Sequence, residues 1–341
     1  WTHLKHWKKQ GNGMIQTSNK FDVLGIGNAI VDVLSFCEDD FLKNNDLAKG
    51  SMMLVDQERS KFLYARMGQS TECSGGSVAN SLAGIASLGA RTAFIGKVAG
   101  DQLGAIFTHD MRAVGVHFDT SPTKGDISTA NCLVLVTPDA QRTMATFIGA
   151  CSLVSEHDID ELLIAQSAIT YIEGYLWDTE NAKAAIRKAT RVAKKAGKKI
   201  AFTLSDTFCV ERHRAEFLDL IKHEVDILFA NESEIKALFE TEDFTAATKK
   251  LRGMCDVAAV TRSEKGCVVL TKEGEQAVAA GPVGQVVDTT GAGDLFASGF
   301  LFGFTQGWEL EKCAALGNRC AGHIITQLGA RSQLPLKRLV A

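Results

Sequence analysis

The chain lacks any uncharged apolar run of the roughly 18–20 residues that a helix needs to cross a bilayer, so no membrane segment is expected. It also lacks the basic excess of a nucleic-acid-binding protein, because 37 Lys and Arg stand against 40 Asp and Glu, for a net charge of −3. The nine cysteines form no Cys-x-x-Cys pair and no His/Cys ligand spacing. This pattern argues against zinc sites and disulfides and predicts reduced, mostly buried thiols in a cytoplasmic protein.

Proline is scarce as well, with 4 residues among 341, and the sequence has no internal repeat and no low-complexity linker. The length suits one large α/β domain with an appended subdomain, or two ordinary domains. No boundary between two domains is visible. Residues 1–20 are assigned to an N-terminal tail, whose first 13 residues are basic and lack the apolar segment of a secretory signal. Met14 is a candidate natural start, and residues 21–335 are expected to form the main domain.

Short apolar runs alternate with helical patterns through most of the chain. Buried strands are predicted at 21–27, 168–172, 200–204, 227–230 and 257–260. Helices are predicted at 77–88, 180–196, 211–223 and 232–239. This alternation indicates βαβ units, and therefore a parallel sheet with helices on both faces. A strand at 266–271 follows a turn and predicts a hairpin near the end of the sheet.

Two regions depart from that alternation. Residues 29–55 and 116–148 contain strand-like runs without a long helix in the second region, around a turn at 137–140. The second region is therefore interpreted as an antiparallel meander.

Near the C-terminus, a glycine-broken turn leads into an apolar helix. The turn comprises residues 288–294, Asp-Thr-Thr-Gly-Ala-Gly-Asp, and residues 295–301 continue as an apolar run. Backbone N–H groups at a helix start have no intrahelical partner, so the turn is predicted to bind an anion. Asp294, on the first turn of this helix, is interpreted either as a helix cap or as a general base beside a bound phosphate.

The segment 288–294 resembles the C-terminal signature of the ribokinase-like (PfkB) family of carbohydrate and nucleoside kinases. Three more segments resemble other elements of that family: Gly-Gly-Ser-Val-Ala-Asn at 75–80, Asn-Glu-Ser-Glu at 231–234 and Thr-Arg-Ser-Glu-Lys-Gly at 261–266. The resemblance implies a three-layer α/β/α domain with a mostly parallel central sheet, plus a small β-sheet lid from about 29–55 and 116–148. It also implies ATP and Mg²⁺ as cofactors, with a monovalent cation such as K⁺ as a further candidate. A small-molecule acceptor and a monomeric or homodimeric state are expected.

The catalytic residues follow from the same resemblance. Asp294 is expected to accept the proton of the attacking hydroxyl group. The N–H groups of Gly291, Ala292 and Gly293 are expected to hold the transferring phosphoryl oxygens as an anion hole.

The ATP side is assigned from the two middle segments. In the family, the positions of Asn231 and Glu234 order water around Mg²⁺ and the phosphates, so Glu234 is predicted to bind Mg²⁺ through water. The alternative for this pair is an ordinary helix start with a capping box. The predicted ATP-binding residues are Asn231, Thr261, Ser263, Gly266, Asn318 and Arg142. The last two come from the resemblance outside those segments: the position of Asn318 lies near the adenine of ATP in relatives, and the arginine that matches Arg142 reaches the phosphates. Asn318 could equally be a surface residue, and so could Arg262, where most relatives have a shorter or apolar residue.

The substrate side begins with Asp32, which lies inside an apolar run. A carboxylate is costly to bury without hydrogen-bond partners, and a ribose 2′,3′-diol supplies two donors. The predicted substrate-binding residues are Asn28, Asp32, Gly75, Gly76, Ser77, Asn80, Met144 and Phe147. The two glycines could also form a plain strand-to-helix turn. Met144 and Phe147, together with Phe36, are interpreted either as a sandwich for a purine or as the core of the lid.

Two spacings resemble the adenosine kinase group of the family: Gly-Asn-x-x-x-Asp at 27–32 and Gly-Ser-x-x-Asn-Ser at 76–81. They favour transfer to the 5′-hydroxyl of adenosine to give AMP. Inosine, guanosine and a free ribose- or fructose-like sugar remain alternative acceptors. A NAD-type dehydrogenase is excluded because Ile30 stands where the third glycine of Gly-x-Gly-x-x-Gly belongs. An inactive nucleotide-binding regulator is disfavoured because Asp294 is intact.

Overall fold

The computed structural model describes residues 19–139 and 141–340. Its strands and helices are numbered here in chain order. Nine strands form a large sheet in the order β14-β13-β12-β11-β10-β9-β1-β5-β6. They are β1 Phe21–Ile26, β5 Thr92–Ile95, β6 Val116–Phe118, β9 Ser167–Glu173, β10 Lys199–Thr203, β11 Ile227–Asn231, β12 Val257–Thr261, β13 Cys267–Thr271 and β14 Glu275–Val278. Pairing is parallel from β6 to β12 and antiparallel in the hairpins that add β13 and β14.

Alternate residues of the central strands enter two separate apolar cores. In β10, Ala201 packs into one core, whereas Ile200 and Phe202 pack into the other. Burial on both faces accounts for the short, almost wholly apolar strand sequences. The helices are α1 Asp39–Asn44, α2 Gln57–Tyr64, α3 Ser77–Leu88, α4 Gln102–Ala113, α5 Glu161–Ala165, α6 Glu180–Lys195, α7 Thr207–His223, α8 Glu232–Phe239, α9 Phe244–Leu251, α10 Ala292–Thr305 and α11 Leu310–Ile324. Helices α3, α10 and α11 cover one face and α6 to α9 the other, which confirms the predicted three-layer arrangement.

A second, five-stranded sheet has the order β3-β8-β7-β2-β4. Its strands are β2 Ile30–Phe36, β3 Met52–Leu54, β4 Ser70–Gly75, β7 Ala130–Val136 and β8 Arg142–Phe147. One face is closed by α1 and α2, whose Leu42 and Leu63 join Val31, Val33 and Leu133 in the same core. The opposite face carries Asp32.

The structure corrects the predicted composition of this small sheet. The antiparallel pairing of β7 with β8 is confirmed, but β2 pairs with β7 and β3 with β8 in parallel. Val116–Phe118, placed by sequence in the 116–148 region of the lid, belongs to the large sheet beside β5. Ser70–Gly75, which lies outside both predicted lid regions, forms an edge of the small sheet beside β2.

Some sequence assignments fall outside the described part of the chain. Residues 1–18 of the predicted N-terminal tail belong to this group. Among the residues that are described, no helix combines the length and the apolar character that a membrane crossing requires.

Candidate active site

The carboxyl ends of the parallel strands meet at one edge of the large sheet, which is where ligands bind in open α/β folds. Glu173 ends β9, Asn231 ends β11 and Thr261 ends β12, and the last two are direct register partners. Asn28 follows β1 at the same edge. The predicted residues Asn28, Asn231 and Thr261 are thereby brought to one edge of the large sheet.

The glycine-rich turn opens α10 with a left-handed residue. Gly291 has φ 77°, and a Cβ added to it would lie 2.7 Å from the Cβ of Ala330, so only glycine fits. The N–H groups of Gly291 and Gly293 make no hydrogen bond to another described residue and are free for an anion. Ala292 differs from the prediction, because its N–H already donates to Thr289 O at 3.2 Å.

Asp294 does not cap its own helix. Its Oδ1 accepts from Ser77 Oγ at 2.7 Å and its Oδ2 from Asn80 Nδ2 at 3.0 Å, both on α3. Burial raises the pKa of Asp294 to about 6, against the lowering effect of these two donors and of the Arg331 charge. A carboxylate with a pKa near 6 is ionised at neutral pH and can still accept a proton, as a general base must.

Glu173 is a site residue that sequence analysis missed. It is fully buried, and its carboxylate accepts from the N–H of Asn28 at 2.8 Å and of Val78 at 3.0 Å. It thus holds the loop after β1 against the start of α3. Burial raises the pKa of Glu173 to about 7 despite these bonds. The only signal in the sequence was a lone acid at the end of an apolar strand.

Asp32 lies on β2 against a glycine that leaves room for it. A Cβ on Gly75 would lie 2.4 Å from Asp32 Oδ2, and a Cβ on Gly76 would lie 2.2 Å from Asn28 O. The two glycines therefore do more than turn the chain: Gly75 leaves room for the Asp32 carboxylate, and Gly76 leaves room for the Asn28 carbonyl. Removal from water raises the pKa of Asp32 to about 6, opposed by the Arg331 charge.

The face of the small sheet that carries Asp32 is otherwise largely apolar. We call it the Asp32 face. Strand register places on it the polar residues Thr71, Arg142 and Thr146 and the apolar residues Ile30, Leu34, Phe36, Cys73, Cys132, Val134, Val136, Met144, Met52 and Leu54. Met144, Ile30 and Leu34 pack around Cys132, Val134 and Val136 as a small cluster. Phe36 and Leu54 are 69% and 63% exposed, so an apolar ligand could still cover them.

Phe147 does not lie on the Asp32 face, which corrects the predicted purine sandwich. Residues of a strand alternate between faces, and Phe147 is three positions from Met144. Its register partner is Asn131, whose Oδ1 accepts from Ser60 Oγ on α2 at 2.7 Å. Phe147 is 9% exposed on that helix-covered face. Met144 and Phe36 remain candidates for contact with a base, and Phe147 does not.

Arg142 connects the small sheet to the glycine-rich turn. Its guanidinium forms an ion pair with Asp288 and donates to Thr290 Oγ1. Asp288 is buried and also accepts from the N–H groups of Thr290 at 2.9 Å and Gly329 at 2.7 Å. In this structure Arg142 thus binds the first acid of the turn, and its predicted contact with phosphate remains a prediction.

Asn231 and Glu234 form the capping box that sequence left open as an alternative. Asn231 Oδ1 accepts from the N–H of Glu234 at 2.8 Å, and the Asn231 N–H donates to Glu234 Oε2 at 2.9 Å. Asn231 Nδ2 donates to Glu234 Oε1 at 2.6 Å. Burial raises the pKa of Glu234 to about 7.

Mg²⁺ at a nucleotide site typically takes one or two carboxylates together with phosphate oxygens and water. The described residues contain no group of three or more His, Cys, Asp or Glu that could hold a metal ion. The Glu234 carboxylate still fits the water-mediated role, because each of its oxygens keeps a lone pair beyond the bond to Asn231.

The turn after β12 carries the remaining nucleotide-side residues. Gly266 has φ 81°, and a Cβ there would lie 2.2 Å from Val278 O, so the glycine lets β14 pass close by. Ser263 also has positive φ, at 51°. Arg262 is not free in solvent: Nε donates to Glu232 Oε2 at 2.9 Å and the guanidinium lies 3.9 Å from the Phe244 ring centre.

Asn318 on α11 faces the end of β14 rather than open solvent. Its Nδ2 donates to the carbonyls of Val278 at 3.1 Å and Ala279 at 3.0 Å. Thr261 Oγ1 donates to Ala230 O at 3.4 Å. The structure therefore gathers Thr261, Gly266 and Asn318 around β12 and β14.

This fold and this site are those of a phosphotransferase with an alcohol group as acceptor. Residues 52–337 match the family described as pfkB family carbohydrate kinase, and the chain belongs to that family. It is 30% identical to an uncharacterized sugar kinase of Archaeoglobus fulgidus over 254 residues, covering 74% of this chain and 98% of that protein. It is 27% identical to a 5-dehydro-2-deoxygluconokinase of Lacticaseibacillus casei, covering 93% of each.

Solved structures extend the comparison. The crystal structure of adenosine kinase from Sinorhizobium meliloti is 52% identical, with a TM-score of 0.87, covering 94% of this chain and 98% of that one. The structure of a probable sugar kinase from Rhizobium etli CFN 42 is 49% identical, with a TM-score of 0.87, covering 94% and 97%. The chain is therefore a kinase of the PfkB family, similar to proteins named for nucleosides and for sugars.

Proposed function

We propose that this kinase transfers the γ-phosphoryl group of ATP to the 5′-hydroxyl of a ribonucleoside, with adenosine as the preferred acceptor. The observation that carries the proposal is the Asp32 face, where a single carboxylate lies within a largely apolar surface that has Arg142 at one side. A nucleoside has the matching chemistry, because its ribose diol can donate to a carboxylate while its base covers apolar side chains. The 52% identity to adenosine kinase from Sinorhizobium meliloti supports the same acceptor.

In the proposed reaction, Asp294 accepts the proton of the 5′-hydroxyl as its oxygen attacks the γ-phosphorus of ATP, and ADP leaves. The free N–H groups of Gly291 and Gly293 stabilise the charge that develops on the phosphoryl oxygens. When bound, Mg²⁺ would neutralise the phosphates, with Glu234 as its contact through water. Thr261, Ser263, Gly266 and the capping-box residue Asn231 would line the ATP side, together with Asn318.

On the acceptor side, Asp32 would receive two hydrogen bonds from the ribose diol. Gly75 and Gly76 keep the backbone close enough for the sugar to approach, and Asn28 lies beside them. Ser77 and Asn80 would act through Asp294, because both of their side chains donate to its carboxylate. A cytoplasmic location is part of the proposal and is supported by nine free cysteines.

A free sugar or sugar acid is the second candidate acceptor. The curated relatives favour it, because they include a 5-dehydro-2-deoxygluconokinase and a sugar kinase. Asp32 and the two glycines would serve a sugar equally well. The Asp32 face would then have no base to cover it.

The test is ATP consumption by the purified protein with adenosine, inosine, guanosine, ribose, fructose and 5-dehydro-2-deoxygluconate, each with and without K⁺. We expect adenosine to give the highest kcat/KM. A sugar or sugar acid with a higher kcat/KM would replace the nucleoside proposal by the second candidate.

A further inference from the structure

A cavity of about 240 Å³ lies beside Cys73 and Ser74, just before the Gly75–Gly76 turn. It is bounded by α3, α4 and the C-terminal segment after α11. Its walls include Asn80, Ser87, Asp110, Leu295 and Arg331. One wall residue, Asn80, is one of the two donors to Asp294, so the cavity adjoins the reaction centre.

Arg331 crosses from the C-terminal segment to this turn. Its Nε donates to Ser74 O at 2.9 Å and its Nη1 to Ala79 O at 3.1 Å. These two carbonyls stand immediately before and after the segment Gly75–Val78. Asp110 on α4 fixes the same place by accepting from the Ser74 N–H at 2.9 Å.

The residues next to Arg331 contact the glycine-rich turn. Ala330 is the residue against which Gly291 packs, and the Gly329 N–H donates to Asp288. One short segment, Gly329–Arg331, therefore touches both motifs that build the reaction centre.

We propose that Arg331 is a positioning residue for phosphoryl transfer: its guanidinium fixes the Gly75–Ala79 turn against α10 and places a positive charge behind Asp294 and Asp32. The inference rests on the kinase activity of the family and does not depend on which acceptor is used. No motif of the sequence analysis included this arginine.

The charges around Asp294 make the proposal measurable. Arg331 faces it from the C-terminal segment, Asp32 from β2 and Glu173 from β9, with the Tyr171 hydroxyl also on β9. Arg331 is the charge that lowers the pKa of Asp294, while Asp294 and Asp32 repel each other. Loss of the guanidinium charge should therefore raise the pKa of Asp294 above its value of about 6.

The experiment compares Arg331→Met, Arg331→Lys and Arg331→Ala with wild type, using the best acceptor of the panel. Arg331→Met should lower kcat by roughly 10²-fold, the cost of about 1 Å of misplacement. The acid limb of its pH–rate profile should move to higher pH. Arg331→Lys keeps the charge, so its acid limb should stay near that of wild type. Guanidinium added at tens of millimolar should partly restore Arg331→Ala, because the truncated side chain enlarges an existing cavity.

Arg91→Met is the matched control. Arg91 also pairs with a carboxylate, that of Asp22, but near the start of β1, whereas the site residues follow the end of β1. The Arg91→Met variant should leave kcat and the pH profile unchanged. A carboxyl NMR titration of ¹³C-aspartate-labelled protein reports the pKa of Asp294 without any substrate, with Asp294→Asn to assign its signal. Activity of Arg331→Met within about threefold of wild type would overturn the proposal. An unmoved Asp294 titration, or a lowered melting temperature as the sole effect, would overturn it equally.

Discussion

Asp294 is held by two donors from a different helix, and this is the residue-scale basis of the mechanism. Replacement by asparagine keeps the shape and removes the base. We expect Asp294→Asn to lower kcat by roughly 10²–10⁴-fold while ATP binding persists. Steady-state kinetics and calorimetric ATP titration measure the two effects. Asp22→Asn, at the far end of β1, is the control and should keep wild-type kcat. The base assignment is wrong if Asp294→Asn retains more than about a third of wild-type kcat.

A substitution at Gly75 tests the proposed contact between Asp32 and the sugar without changing Asp32 itself. A methyl group there would meet Asp32 Oδ2 at 2.4 Å and push the carboxylate away. Gly75→Ala should therefore raise the acceptor KM by orders of magnitude, as Asp32→Ala would, since two charge-assisted bonds contribute about 3 kcal/mol or more. The KM for ATP should stay constant.

Gly100→Ala is the matched control, because a Cβ at Gly100 has no heavy atom within 4 Å. It should behave as wild type in both KM values. An acceptor KM that Gly75→Ala leaves unchanged would mean that Asp32 does not contact the substrate.

At the scale of elements, β8 of the small sheet is joined to the turn before α10 through Arg142. We infer that the small sheet is a lid and that Arg142 stabilises its closed position over the cleft. Arg142→Ala should depress kcat more than it raises the acceptor KM. Arg66→Ala, which changes an exposed arginine in the turn after α2, should change neither.

Hydrogen exchange follows the lid directly. Adenosine together with a non-hydrolysable ATP analogue should protect β7 and β8 more than either ligand alone. Equal protection by the ATP analogue alone would show that the nucleoside does not drive closure. No protection by any ligand would remove the lid assignment.

Helices and strands could be predicted where the apolar pattern that indicates them lies within one short segment. Helices α3 and α8 begin and end at the predicted residues, and the five predicted strands of the parallel sheet are all present. The small sheet was less predictable because its membership depends on pairing between distant segments. Nothing local in Ser70–Gly75 indicates that it pairs with β2. The same limit hid Glu173 and Arg331. Their hydrogen-bond partners on α3, Val78 and Ala79, lie 95 and 252 residues away along the chain.

At the scale of the whole molecule, the buried carboxylates make the folding stability depend on pH. A carboxylate whose pKa is raised in the folded state binds more protons there, so its contribution to stability is complete below the unfolded pKa and is lost as pH rises through the folded pKa. For the pKa of Asp294 this window runs from the ordinary aspartate value of 3.8 to about 6. Asp294→Asn cannot lose a proton, so its stability relative to wild type should rise between about pH 5 and pH 8, by about 1.5 kcal/mol.

Denaturant unfolding at both pH values measures this difference. Asp22→Asn is again the control: the pKa of Asp22 is lowered, so its effect should be the same at both pH values. A stability difference between Asp294→Asn and wild type that does not change with pH would contradict the assigned direction.

The central claim is that the whole molecule delivers the ATP γ-phosphoryl group to the 5′-oxygen of adenosine through Asp294. The most direct measurement is the product stoichiometry of wild-type protein with ATP and adenosine, with 5′-deoxyadenosine as the matched acceptor that lacks the hydroxyl. We predict equal amounts of ADP and AMP with adenosine and neither product with 5′-deoxyadenosine. ADP formed without AMP, or no turnover of adenosine, would contradict the account.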